Sequence, residues 1–174
     1  MINLIDNNNM MILDLNQIEI NKQSKARETF VENLKIFIAI KPLQYLFQSK
    51  SQVKLHELRL LPEGTIGKDV FKMLNSRHLK IIPKFEEHDM KHIILGYSMS
   101  SIDEIRMQAY LFGNGNYNIF CLLFLASGIM FPEYWNTFYK DYKKGKNAIS
   151  MSNLTFEKCK MKLSKDLKTI YCKK

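Results

Sequence analysis

EEHDMKHIILGYSMSSIDEIRMQAY, Glu86 to Tyr110, is the stretch from which both fold and chemistry are read. It holds two helical patterns separated near Gly96, and it gathers His88, Asp89, His92 and Glu104. His88 and His92 stand four apart, so on a helix they project from one face. Two imidazoles so placed can grip one transition metal. Asp89 lies about 100° round that helix and reaches the same ion only from a tilted or irregular helix end. Glu104 follows His92 after eleven residues and must come from a second element. The pattern predicts one metal held between two helices. Simpler explanations compete with it. A histidine pair on a helix also serves as surface or hydrogen-bonded structure, and Asp89 as a helix-surface carboxylate. Ser101-x-x-Glu104 has the spacing of a capping box, which accounts for Glu104 without any metal.

Working outward, Pro83 introduces the first of these helices, which ends near Gly96; the second stops at Gly113-Asn114-Gly115-Asn116. Upstream, Ile66, Val70, Met73 and Leu74 mark one helical stripe, opened by Thr65 as N-cap after the turn chemistry of Pro62 to Gly64. Val53, Leu55, Leu58 and Leu61 predict a short helix stopped before Pro62, and Ser24 opens a longer one that Pro42 bends or divides. Downstream, Ile119 to Phe131 is an apolar run ended by Pro132, read first as a buried core helix and second as a lipid-contacting one. Glu133 to Lys144 carries an aromatic face of Tyr134, Trp135, Phe138, Tyr139 and Tyr142, with Gly145 as its stop. A lysine-rich amphipathic segment follows, with Phe156, Leu163, Leu167 and Ile170. The Asn-rich residues 1–23 read as a loose N-terminal extension, and residues 24–174 as one helical domain. The expected fold is all-α: a compact single-domain helical bundle with a metal site between two helices.

A chain of 174 residues, 46% hydrophobic, is long enough for a sizeable core. Its formal net charge of +9 points to an anionic partner: nucleic acid, an anionic membrane surface or a phosphate-bearing substrate. Much of the excess lies between Lys140 and Lys146 and between Lys158 and Lys174, where a solvated lysine face is the simplest explanation. Cys121, Cys159 and Cys172 form no CxxC pair, and their odd number fits free thiols in a reducing compartment. Met1 to Ile20 lacks the basic start of a secretory signal, and the apolar run is well short of the roughly 20 residues that span a bilayer.

Other metal motifs fit poorly. A zincin needs Glu where Asp89 stands, and a di-iron bundle needs two acidic-x-x-His pairs where this chain has only Asp89-x-x-His92. A His-Asp phosphohydrolase needs a further His and Asp; nothing selects His56, His78 or Asp141 for those places. There is no phosphate loop, no GxSxG and no nucleic-acid-reading motif.

His88-Asp89-Met90-Lys91-His92, eleven residues, then Glu104 resembles the signature of the coenzyme Q biosynthesis protein 4 family, His-Asp-x-x-His, eleven residues, Glu. Leu61 to Gly67 is similar to that family's upstream Pro-x-x-Thr-x-Gly segment, and Tyr142 to Gly145 with Leu154, Phe156 and Glu157 to its C-terminal portion. The resemblance covers roughly Leu58 to Leu167. The segment before His88 is shorter than is usual there, and Phe156 stands where the family tends to carry Trp.

This resemblance implies an all-α fold, a role in making prenylated quinones, and a divalent metal, commonly zinc, on His88, Asp89, His92 and Glu104. It implies removal of the C1 carboxyl group from a prenylated hydroxybenzoate, with hydroxylation there. Phe120, Leu123, Phe124 and Met130 are candidate walls of a lipid-binding cavity, though they read first as ordinary core residues. Implied partners are a prenylated quinone precursor or other isoprenoid lipid, an anionic membrane surface and other proteins of the biosynthetic complex, but no nucleic acid. The expected location is cytoplasmic, peripheral at the membrane face. Two alternatives are a non-catalytic lipid-binding scaffold that presents quinone intermediates to partner enzymes and, on charge alone, a basic nucleic-acid-binding domain.

Overall fold

The computed structural model describes residues 24–33, 48–82 and 85–172. The predicted extension over residues 1–23, the bend or division expected at Pro42, and Pro83, read as introducing the next helix, lie outside them. Among the described residues the chain is all-α, as the periodicity predicts. Its helices are α1 (24–33), α2 (Gln48–Arg59), α3 (Ile66–Ser76), α4 (Glu86–Leu95), α5 (Ser101–Gly113), α6 (Ile119–Ser127), α7 (Trp135–Asn147), α8 (Phe156–Cys159) and α9 (Ser164–Tyr171). The β pairing among these residues is one isolated bridge between Thr65 and Leu163.

α5 organises the rest. An ordinary surface helix buries one stripe, but α5 is covered on several sides, with Ser101, Glu104, Ile105, Met107, Gln108, Ala109, Tyr110 and Leu111 all buried. Met107, Tyr110 and Leu111 join one apolar cluster with Leu58, Ile66, Val70, Leu74, Met90 and Ile94 of α2, α3 and α4. Ile105 and Ala109 join a second with Val31 of α1, Phe131 and Phe138 of α7. Each fully buried Leu, Ile or Met contributes on the order of 1.5–3 kcal/mol relative to exposure. The polar members of α5 are thereby committed to the interior.

The ends of α3 and α4 follow their local chemistry. Thr65 caps α3, its Oγ1 accepting from the Lys68 N–H at 3.4 Å. The C-terminal segment then docks on that end: Ile66 N–H donates to Lys162 O, Gly67 N–H to Lys160 O, and Ser164 Oγ to Asp69 at 2.6 Å. α4 stops at Gly96, whose φ of 75° is a left-handed conformation that glycine adopts without steric cost.

Two expectations are corrected. Gly145 does not stop its helix, because α7 continues to Asn147. Its role is to let α7 approach α5, since a Cβ at Gly145 would sit 1.9 Å from the Tyr110 carbonyl oxygen. Phe138, Asp141 and Gly145 form the buried stripe of α7 that makes this contact. The apolar run is likewise not a core helix. Only Cys121 of α6 is buried, while Ile119, Phe120, Leu122 and Leu123 are exposed. Hydropathy predicts that such residues seek cover; it does not say that another part of the fold supplies it. No helix among the described residues is long and apolar enough to cross a membrane.

The two readings of Gly145 separate on one substitution. Gly145→Ala is expected to cost about 3 kcal/mol in urea-induced unfolding, through overpacking against Tyr110. A helix-stop glycine would lose only about 1 kcal/mol on the same change, and an interior glycine with open space beside it would gain stability.

Candidate metal centre

His88 and His92 lie on α4 as the spacing predicts, and Glu104 reaches them from the first turn of α5. His92 Nε2 is 3.0 Å from Glu104 Oε2 and 3.2 Å from His88 Nε2. His88 Nε2 is 3.3 Å from the other oxygen, Glu104 Oε1. The three residues each offer one ligand atom, all within 4.8 Å of one another. His92 and Glu104 are buried and His88 half-buried, so one side of the trio remains reachable.

Each partner is set by its own surroundings. A carbonyl oxygen only accepts, so the 3.2 Å contact between His92 Nδ1 and Tyr97 O places a proton on Nδ1. In the neutral ring this leaves the Nε2 lone pair facing the Glu104 carboxylate. Lone pair and carboxylate at such range need a cation between them, either a further proton or a metal ion. Gln108, one turn along α5, donates to Glu104 Oε1 at 2.8 Å and lies 3.5 Å from His88 Nδ1. Two imidazoles and a carboxylate are the donor set of a zinc-type site. Bonds of about 2.0–2.1 Å in tetrahedral geometry put ligand atoms roughly 3.3 Å apart, close to the separations seen here. The residues present fit a divalent cation.

The electrostatics agree. Burial pushes the Glu104 carboxyl up, but attraction to His88 and hydrogen bonds from both histidines outweigh it and hold the group well below the usual carboxylate range. Asp89 goes the other way. Burial raises its carboxyl to about 6, against the attraction of His88 and His92. Asp89 is therefore close enough to sense both imidazoles, yet it is outside the converging trio.

The capping box predicted from Ser101 and Glu104 is one residue out of register. Ser100 is the N-cap, its Oγ accepting from the Asp103 N–H at 3.3 Å. Asp103, not Glu104, turns back outside the helix and accepts from the Ser98 N–H at 3.0 Å. Glu104 supplies only its backbone N–H, to Ser100 O at 2.8 Å, and its carboxylate is free to face α4. Ser101 is buried instead, with Oγ 3.4 Å from Glu28 O of α1.

The proposed cavity walls differ in exposure. Phe120 and Leu123 are exposed on α6; Phe124 and Met130 are half-buried, and Met130 packs against the Val31 cluster. Phe120 does approach the start of α4, its ring 5.5 Å from that of Phe85. Asp141 is a buried partner of Arg106 at 2.8 Å. Sequence reasoning missed Gln108 and Tyr97. Gln108 carried one usable signal, its place four residues after Glu104 on the same helix face.

No family model matches the chain, and no curated protein matches it either. Among solved structures it is similar to the crystal structure of a "Putative ubiquinone biosynthesis protein" from Nostoc punctiforme PCC 73102, at 14% identity and a TM-score of 0.53, over 91% of each chain. A likeness at that identity shows a shared all-α fold.

Ser100→Ala should cost about 1 kcal/mol in thermal unfolding, the usual loss for an N-cap hydroxyl. Unchanged stability in that variant would mean that α5 is not capped as described.

Proposed function

We propose that this chain is a divalent-metal protein of prenylated-quinone biosynthesis, acting at C1 of a prenylated hydroxybenzoate or on a related lipid ring. The observation that carries the reading is the convergence of His88, His92 and Glu104 from two helices with separations suited to one metal ion. Two likenesses give it its pathway. One is the His-Asp-x-x-His, eleven residues, Glu spacing of the coenzyme Q biosynthesis protein 4 family. The other is the fold shared with the Nostoc protein named for ubiquinone biosynthesis.

In this reading His88, His92 and Glu104 hold the ion, zinc being the best match to the donor set, with Asp89 as the further ligand that the family spacing implies. Bound there, a divalent metal supplies Lewis acidity toward a phenolate or carboxylate oxygen. Glu104 keeps its charge because both imidazoles face it, and Gln108 fixes the carboxylate plane. The half-buried side of His88 is where a ring substituent approaches.

The exposed apolar face of α6 supports a peripheral membrane location. Ile119, Phe120, Leu122 and Leu123 form an uncharged surface, and Trp135 and Tyr139, residue types that favour the lipid–water boundary, are exposed on the helix that follows. Lys140, Lys143, Lys144 and Lys146 on α7 are exposed as well, each contributing about 1 kcal/mol near an anionic surface. The same face serves the scaffold reading, in which the metal is structural and α6 receives an isoprenoid chain.

Purified protein is expected to carry about one equivalent of divalent metal by elemental analysis, with His92→Ala and Glu104→Ala each abolishing it. Full occupancy in both variants would remove the ligand assignment. Leu123→Glu should reduce co-sedimentation with anionic vesicles several-fold while leaving metal content intact. Equal partitioning would count against the α6 face. Enzyme and scaffold separate by complementation of a quinone-deficient strain: a folded, vesicle-binding Glu104→Ala protein that fails to restore quinone favours chemistry.

A further inference from the structure

The turn between α4 and α5 is held by more than its glycine. Tyr97 lies between two groups from other helices. The Arg106 guanidinium of α5 sits 5.2 Å from the centre of its ring, and burial, with the nearby Asp141 carboxylate of α7, pushes the pKa of its phenol up. Asp141 is 1% exposed and accepts from Arg106 Nε at 2.8 Å. Arg106 also donates to Asp103 Oδ1 at 2.9 Å, and Asp103 in turn receives the Ser98 N–H. Residues 97 and 98 are thus held at ring and backbone. The Tyr97 carbonyl oxygen accepts from His92 Nδ1–H at 3.2 Å.

From this geometry we infer that Asp141, Arg106 and Tyr97 form a positioning clamp that sets the tautomer and orientation of His92, and through it the metal centre. The inference rests on the metal reading of His88, His92 and Glu104. A ligating histidine is tuned by the acceptor on its other nitrogen, and losing such an acceptor costs about 10–100-fold in metal affinity. Here the acceptor is a backbone carbonyl, which no side-chain substitution can delete. Its position depends on what holds Tyr97. An Arg–carboxylate pair between two packed helices is well suited to that, because its planar donors fix direction as well as distance. The apparently structural ion pair between α5 and α7 therefore has a chemical output at α4.

The clamp is testable with and without metal. In the apo protein, nitrogen-15 NMR of the His92 ring is expected to show a hydrogen-bonded proton on Nδ1. Tyr97→Phe keeps the ring on Arg106 and removes only the hydroxyl near Asp141; Asp141→Asn weakens the bond to Arg106. Both should weaken the hydrogen bond from Nδ1 and move the Nδ1–H resonance. Cobalt(II) affinity should fall about tenfold, with a changed visible absorption spectrum and a melting temperature close to wild type. Wild-type Nδ1–H resonance, affinity and spectrum in both variants would overturn the clamp, as would affinity loss that merely tracks unfolding. A wild-type protein that binds no cobalt(II) would instead sink the metal reading, leaving the Nδ1–H resonance to decide the clamp alone.

Discussion

A carboxylate buried in the middle of a helical protein is the constraint on which the site and its supporting helices depend. Glu104 is 2% exposed on a helix whose neighbouring side chains fill two apolar clusters. Stripped of water, such a charge persists only beside donors or cations. Gln108 supplies one donor, and the imidazoles of His88 and His92 do the rest. For those rings to arrive, α4 must end and turn back within a few residues, which the left-handed Gly96 and the Ser100 cap accomplish. The trio is thus a consequence of how α5 is buried as much as of the residues that compose it.

The surrounding packing keeps that arrangement stiff. α7 reaches α5 closely because Gly145 carries no side chain, and the same approach brings Asp141 to Arg106 and Tyr97. The C-terminal segment closes on the other side, where Cys172 Sγ donates to Ile94 O of α4 at 3.0 Å. α4 is therefore held at its C-terminal half from two directions. α6 stands apart from this logic, with an apolar surface turned outward and a single buried residue.

Much of this was legible in the sequence, and the exceptions have physical causes. The stripes Ile66, Val70, Leu74 and Ile105, Ala109 place helices correctly, because burial of one face imposes the 3.6-residue period. The His88–His92 spacing is local, so it survives any tertiary arrangement. The cap could not be read. Ser100 and Ser101 each have an acidic residue three positions later, and the two registers differ only in which carboxylate is turned inward. Burial of α5 made that choice. Gly145 had two ordinary uses, as helix stop or as close-approach residue, and only the position of Tyr110, 35 residues earlier, distinguishes them. The exposure of α6 was illegible for a similar reason, since an apolar sequence records a preference for cover but not its source. The Arg106–Asp141 pair spans 35 residues and leaves no periodic trace.

X-ray absorption spectroscopy of the protein loaded with one equivalent of zinc tests the metal centre most directly. It is predicted to show a nitrogen/oxygen shell near 2.0 Å with the multiple-scattering pattern of two imidazoles, and to lose one imidazole in His88→Ala. A sulfur shell near 2.3 Å, or a spectrum without imidazole scattering, would contradict it.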